Sequence, residues 1–106
     1  MADISQEIAK LGIYDNTFIR LQQAVEKAAK KQAVIAQNIA NANNPDYVAL
    51  EFDEALNKAV KRSNKQIVIE DEMAAMSKNQ IEHSAYIKLL ASKISVLRTA
   101  VTQGRK

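Results

Sequence analysis

Two stretches of this chain place apolar residues at a strict three–four spacing, and nothing else in the sequence constrains its fold as much. In the first, Phe18, Leu21, Val25, Ala28, Gln32, Ile35, Ile39 and Ala42 alternate steps of three and four. In the second, Met73, Met76, Gln80, His83, Ile87, Leu90, Ile94, Leu97 and Val101 do the same. That alternation returns to one side of an α-helix every 3.5 residues, the period of a coiled-coil seam. A helix over 16–43 would be roughly 42 Å long at 1.5 Å per residue, too long to bury a narrow stripe by itself. The expectation is an all-α fold: an antiparallel two-helix coiled-coil hairpin of long N- and C-terminal helices, with a short helix and an extended connector between them.

The punctuation of the chain sets the boundaries. Ile4, Ile8 and Leu11 form a short helical stripe in an N-terminal segment, 1–15, that Gly12 interrupts, and Asp15-Asn16 offers an N-cap for the long helix over 16–43. Asn41, Asn43 and Asn44 weaken helix propensity and Pro45 disfavours helix at Asn44, so Asn44-Pro45-Asp46-Tyr47 reads as a tight turn. Phe52, Leu56 and Ala59/Val60 suggest a short amphipathic helix over 51–62, broken by Ser63-Asn64-Lys65, with Gln66–Ile69 as an extended connector. Glu70-Asp71-Glu72 then opens a helix over 70–103, three carboxylates at the positive end of its macrodipole. At 106 residues the whole chain, 1–106, is one domain, with 44–69 as its turn, short helix and connector.

Composition narrows the chemistry. There is no Cys and one His, which removes disulfides, thiolate sites and a His cluster within one chain. Only Gly12 and Gly104 are present, so no glycine-rich phosphate loop exists. No run of about eighteen apolar residues is available to cross a bilayer. Met1–Lys10 lacks the cationic start and apolar stretch of a cleaved signal peptide. The net charge of +3 comes from scattered Lys and Arg, with pairs at Lys30-Lys31, Lys61-Arg62 and Arg105-Lys106, which describes a solvated surface better than a nucleic-acid footprint.

Enzyme constellations are missing. His83 lies on the second seam, either as a titratable interhelical contact or, the reading preferred, as a hydrogen-bonded polar seam residue. Glu82-His83-Ser84 has the side-chain types of a triad, but neighbours on a helix point in different directions. Glu70–Glu72 are accounted for by helix-start electrostatics without a metal. We therefore expect no catalytic, cofactor-binding or metal-binding residue. Gln32, Gln80 and His83 are polar insertions that fix register and choice of partner. Val34, Ala36, Ile81, Tyr86, Leu89 and Val96 widen the apolar surface beyond what one partner helix covers. Packing within the chain accounts for part of that surplus. The rest marks a candidate subunit interface at Val34, Ile81, Tyr86, Leu89 and Val96.

The wording of both helices resembles a known family. Residues 21–47, LQQAVEKAAKKQAVIAQNIANANNPDY, resemble the N-terminal signature of the flagellar axial proteins of rod and hook, a long helix ending in S-N-N-I-A-N-A-x-T-P-G-Y. The matching positions run from Gln37, Asn38, Ile39, Ala40, Asn41 and Ala42 through Asn43, Asn44, Pro45 and Asp46 to Tyr47. Residues 70–101 are similar to the C-terminal helix of the bacterial flagellar basal-body rod protein family, proximal rod FlgB type, through Glu72, Met73, Ala74, Met76, Asn79, Gln80, Leu89, Leu90, Lys93, Leu97, Arg98, Thr99 and Ala100. Phe52 with Ala55-Leu56 is like that family's F-x-x-A-L segment. Two departures stand out. Asn44 and Asp46 replace the usual Thr and Gly of the turn, which implies a different or strained turn, and the middle region is short.

The resemblance implies a non-enzymatic structural subunit of the flagellar basal body. Such proteins self-assemble helically into the rod in the periplasmic space, and they leave the cytoplasm by the flagellar type III export route without a cleaved signal. Its implied partners are other rod proteins and components of the membrane ring and export gate, in homo- or hetero-oligomers, with no nucleic acid and no transmembrane segment. It implies roles for Asn38, Asn41, Ala42, Asn44, Pro45, Asp46 and Tyr47 in the rod-motif turn. The alternatives are another rod or junction/adaptor protein, or a small basic helical-hairpin module that binds nucleic acid or a partner helix.

Overall fold

The structure, a computed structural model, describes residues 16–104. Helix α1 spans Asn16–Ala40, strands β1 (Leu50–Asp53) and β2 (Lys58–Lys61) form a two-stranded antiparallel hairpin, and helix α2 spans Ile69–Gly104. The N-terminal stripe of Ile4, Ile8 and Leu11 lies outside the described residues.

The two long helices pack against each other, antiparallel. Asn79 of α2 bonds to Ala28 and Gln32 of α1, while Glu72, at the start of α2, sits by the hairpin that Asn38 of α1 holds. The result is a rod of 64 × 23 × 19 Å with a radius of gyration of 19.0 Å, against about 13 Å for a globule of a hundred residues. Among the described residues the buried apolar side chains are Phe18, Ala28, Val34, Ala49 and Val101, and three polar ones, Asn38, Glu72 and Asn79, join them. So thin a core is fixed by hydrogen bonds as much as by burial.

Helix α1 stops where the asparagines begin. The Asn41 and Ala42 amides make the last helical bonds, to Gln37 at 3.1 Å and Ile39 at 3.3 Å, and the Asn41 side chain donates to the same Gln37 carbonyl at 2.9 Å. Ala42 thus sits in the turn after the helix. At its other end α2 opens with the Glu72 amide donating to the Val68 carbonyl at 3.0 Å, and Glu70, Asp71 and Glu72 occupy its first turn.

The middle differs from expectation. Residues 51–62 form no short helix; they supply most of the β-hairpin. Leu50 pairs with Lys61, Glu51 with Val60, Phe52 with Ala59 and Asp53 with Lys58, and Arg62 donates from its amide to Ala49 at 2.8 Å to extend the ladder. Asp53 closes the four-residue loop by accepting the Leu56 amide at 3.0 Å. Asn57 takes the left-handed conformation there, φ 54°, which Asn tolerates better than most residues. The spacing of Phe52, Leu56 and Ala59/Val60 suits one face of a helix. An isolated hairpin of this size is marginal in water, so its stability is tertiary and comes from α1.

Candidate functional site

One fully buried residue of α1 fastens the start of β1. Asn38, in the last turns of α1, is fully buried and its amide reads Leu50 as a neighbouring strand would. Its Nδ2 donates to the Leu50 carbonyl at 2.8 Å and its Oδ1 accepts the Leu50 amide at 3.0 Å. The same Oδ1 accepts the Tyr47 hydroxyl at 2.9 Å. Leu50 therefore leaves no backbone polar group unpaired on the side of β1 that faces the helix.

The rod-motif turn delivers Tyr47 to that point. Tyr47 donates its amide to the Asn44 carbonyl at 3.1 Å and Asp46 donates its own to the Asn44 side chain at 3.1 Å, with Pro45 at the second position. Asp46 has no positive φ, so the turn is of the type I kind, which asks for no glycine there. Of the two expectations for this turn, a different type or strain, the strain at Asp46 is absent. Of the motif residues, Asn38 and Tyr47 meet directly, Asn44, Pro45 and Asp46 make the turn, and Asn41 and Ala42 close the helix.

Beside Tyr47 lies an ion pair that the sequence did not announce. Arg62, just after β2, donates to Glu72 at 2.7 Å, and the Glu72 side chain is 6% exposed. Burial pushes the Tyr47 hydroxyl above its ordinary pKa; Arg62 opposes that shift and Glu72 adds to it. Asn38, Tyr47, Leu50, Arg62 and Glu72 thus tie the end of α1, the turn, the hairpin and the start of α2 into one polar joint. Further along α1, Lys31 pairs with Glu54 at 2.5 Å and stands 5.9 Å from the Phe52 ring centroid, and Lys30 donates to the Asn57 carbonyl at 3.4 Å. By hydrogen bond first and charge second, Lys31 holds the exposed Glu54 carboxyl below its usual value.

Along the helix pair, the first seam has Phe18 and Ala28 buried and Leu21, Val25, Gln32, Ile35, Ile39 and Ala42 half-buried. On α2, Met76, His83, Leu90, Ile94 and Leu97 are half-buried and Val101 is buried. Met73 (56% exposed), Gln80 and Ile87 (44% exposed) face solvent. Their neighbours Glu72, Asn79 and Tyr86 turn inward instead. A seven-residue repeat on a straight helix rotates by about 20° per heptad, so the row from Ile94 back to Met73 swings through about 60°. Asn79 uses this register: its Nδ2 donates to the Ala28 carbonyl at 2.7 Å and to Gln32 Oε1 at 2.9 Å.

The candidate interface residues separate. Val34 is 7% exposed, because it shares a face with Lys31 and Asn38 and the hairpin covers that face; it is no outward contact. Tyr86 is half-buried in line with Asn79 and Leu90. Ile81, Leu89 and Val96 are exposed at 71%, 56% and 66%. Ala29, Ala33 and Ala36 of α1 face Gln80 and His83 of α2 across an open groove of about 480 Å³. No group of three or more His, Cys, Asp or Glu converges on a metal-sized space among the described residues, and none of their helices is long and apolar enough to cross a membrane.

No family model matches the chain. It is 26% identical over 129 residues to the flagellar basal body rod protein FlgB of Bacillus subtilis (strain 168), an alignment that takes in 90% of this chain and 100% of that protein. The aligned span is longer than the 106 residues of this chain, so the relative carries residues that have no counterpart here. The motifs at both ends of the hairpin and the similarity along nearly all of the chain point to one resemblance, to the bacterial flagellar basal-body rod proteins of the FlgB type.

Proposed function

We propose that this chain is a structural, non-enzymatic subunit of the bacterial flagellar basal-body rod, in its proximal part. The observation that carries the reading is similarity to a basal-body rod protein across the whole of that relative. The architecture suits it: an elongated helix pair with a thin core, apolar residues left on the outside of α2, and a polar joint that fixes how the hairpin leaves the helices. A thin core unfolds readily for export by the flagellar type III route, and neighbouring subunits then add the burial it lacks. Under this reading the chain sits in the periplasmic span of the basal body, against other rod proteins and the components of the membrane ring and export gate.

The test is to delete the gene, complement it with an epitope-tagged copy and purify basal bodies. The tagged chain is expected in the rod fraction, and the deletion strain is expected to be non-motile with rods that do not form. A motile deletion strain whose basal bodies are intact would overturn the proposal.

A further inference from the structure

The outer face of α2, turned away from α1, is self-complementary. Glu70, Ala74, Ser77, Ile81, Ala85 and Lys88 fall on it by helical spacing, and Ser77, Ile81, Ala85 and Lys88 line one shallow groove there. Ile81, at 71%, is the most exposed large apolar side chain among the described residues, and the small residues Ser77, Ser84 and Ala85 line the groove with it. Glu70 and Lys88 are both exposed, and neither forms an ion pair among the described residues.

We propose that a second copy of this chain docks on this face, α2 against α2 and antiparallel, as a symmetric dimer centred near residue 79. In that arrangement each Glu70 meets the partner copy's Lys88, each Ile81 sits over its Ser77, and each Ala74 faces its Ala85. All three pairings share one axis position to within about half a residue, under about 1 Å along the helix, and the charges are opposite at both ends of the contact. A two-fold contact of this kind uses the same patch twice and closes. The small residues let the helices approach and give Ile81 a hole to fill. The contact runs over about 28 Å of each helix, at the small end of protein interfaces, so the dimer is weak and responds to concentration and salt. The inference rests on the rod reading only for the dimer's role: subunits in a rod point one way, so an antiparallel pair covers this face before assembly and separates for it.

Sedimentation of the purified chain over a concentration series, at low and high salt, tests the dimer apart from any question of basal bodies. A monomer–dimer equilibrium that weakens with salt is expected, with Ile81→Asp monomeric throughout and helical by circular dichroism. Glu70→Lys and Lys88→Glu are each expected to weaken dimerisation by about tenfold, through like charges at both ends. An equimolar mixture of these two variants restores opposite charges at both contacts and recovers the dimer. A wild-type chain that stays monomeric, one that grows into open-ended stacks, or a mixture no better than its components would overturn the proposal. None of those results bears on whether the chain enters the rod.

Discussion

The side-chain amide of Asn38 satisfies both backbone groups of Leu50, donating to its carbonyl at 2.8 Å and accepting its amide at 3.0 Å. An amide is the only uncharged side-chain group that donates and accepts in one plane with the geometry of a peptide unit. Asn38→Asp keeps the acceptor but sets a carboxylate against the Leu50 carbonyl, and Asn38→Ala strands three polar groups. Each is expected to destabilise the chain by about 2–3 kcal/mol, because the groups left unpaired are buried. Urea unfolding measures the loss. Hydrogen exchange at the Leu50 amide localises it, since that proton should exchange far faster in either variant while amides near Ala28 change little.

Tyr47 makes the joint sensitive to alkali. Its pKa is raised in the folded chain, chiefly by burial, and only the neutral hydroxyl can donate to Asn38. A raised folded pKa means that the contribution of Tyr47 is fully present below its unfolded value of 10.0 and is lost as pH rises through the higher folded value. Tyr47→Phe is expected to flatten this part of the stability–pH curve above pH 10 and to lower stability below it by about 1 kcal/mol, for the lost hydrogen bond. Absorbance titration of the tyrosines checks the assignment. A phenol step displaced above 10.0 should be missing from the variant.

Arg62 and Glu72 test whether the joint needs charge or only shape. Glu72→Gln leaves Arg62 without its counter-charge in a mostly covered position, a loss of about 2 kcal/mol given that Arg62 keeps some contact with water. Replacing both, as Arg62→Met with Glu72→Leu, removes the pair without stranding either partner, and its effect should stay within about 1 kcal/mol of wild type. If the single and double variants are equally destabilised, packing rather than the uncompensated charge governs this site. Thermal melts of the three proteins decide between the two.

The long helices were readable because their signal is local and repeated, and Asn44-Pro45-Asp46-Tyr47 because turn chemistry is local too. The hairpin was not. Phe52 and Ala59 face each other across two strands, but seven residues apart in sequence they also fit one side of a helix, and the residue that decides, Asn38, lies twelve positions before Leu50. The inward turn of Glu72 and Asn79 was hidden for a related reason. Apolar patterning favours Met73 and Gln80's row, whereas Glu72 and Asn79 are admitted to the interior by Arg62, Ala28 and Gln32, partners that no window along α2 contains. Val34 is off the seam, and helical spacing alone does not tell a residue covered by the middle segment from one left for a neighbouring subunit.

The register of α2 makes a prediction that separates its two faces. Leu90 is half-buried towards α1, and Met73, on the row that rotates outward, is 56% exposed. Leu90→Asp puts a carboxylate into the helix–helix contact and should destabilise the free chain by about 3 kcal/mol, most of what so thin a core can lose before the hairpin opens. Met73→Asp replaces a solvent-facing side chain and should stay within about 0.5 kcal/mol of wild type in the isolated protein. Urea denaturation of the purified variants reads both values. In cells, Leu90→Asp is expected to leave synthesis intact and abolish rod incorporation and motility. A Met73→Asp as strongly destabilised as Leu90→Asp would mean that the helix faces α1 with the strict heptad row, and that Asn79 does not set the register.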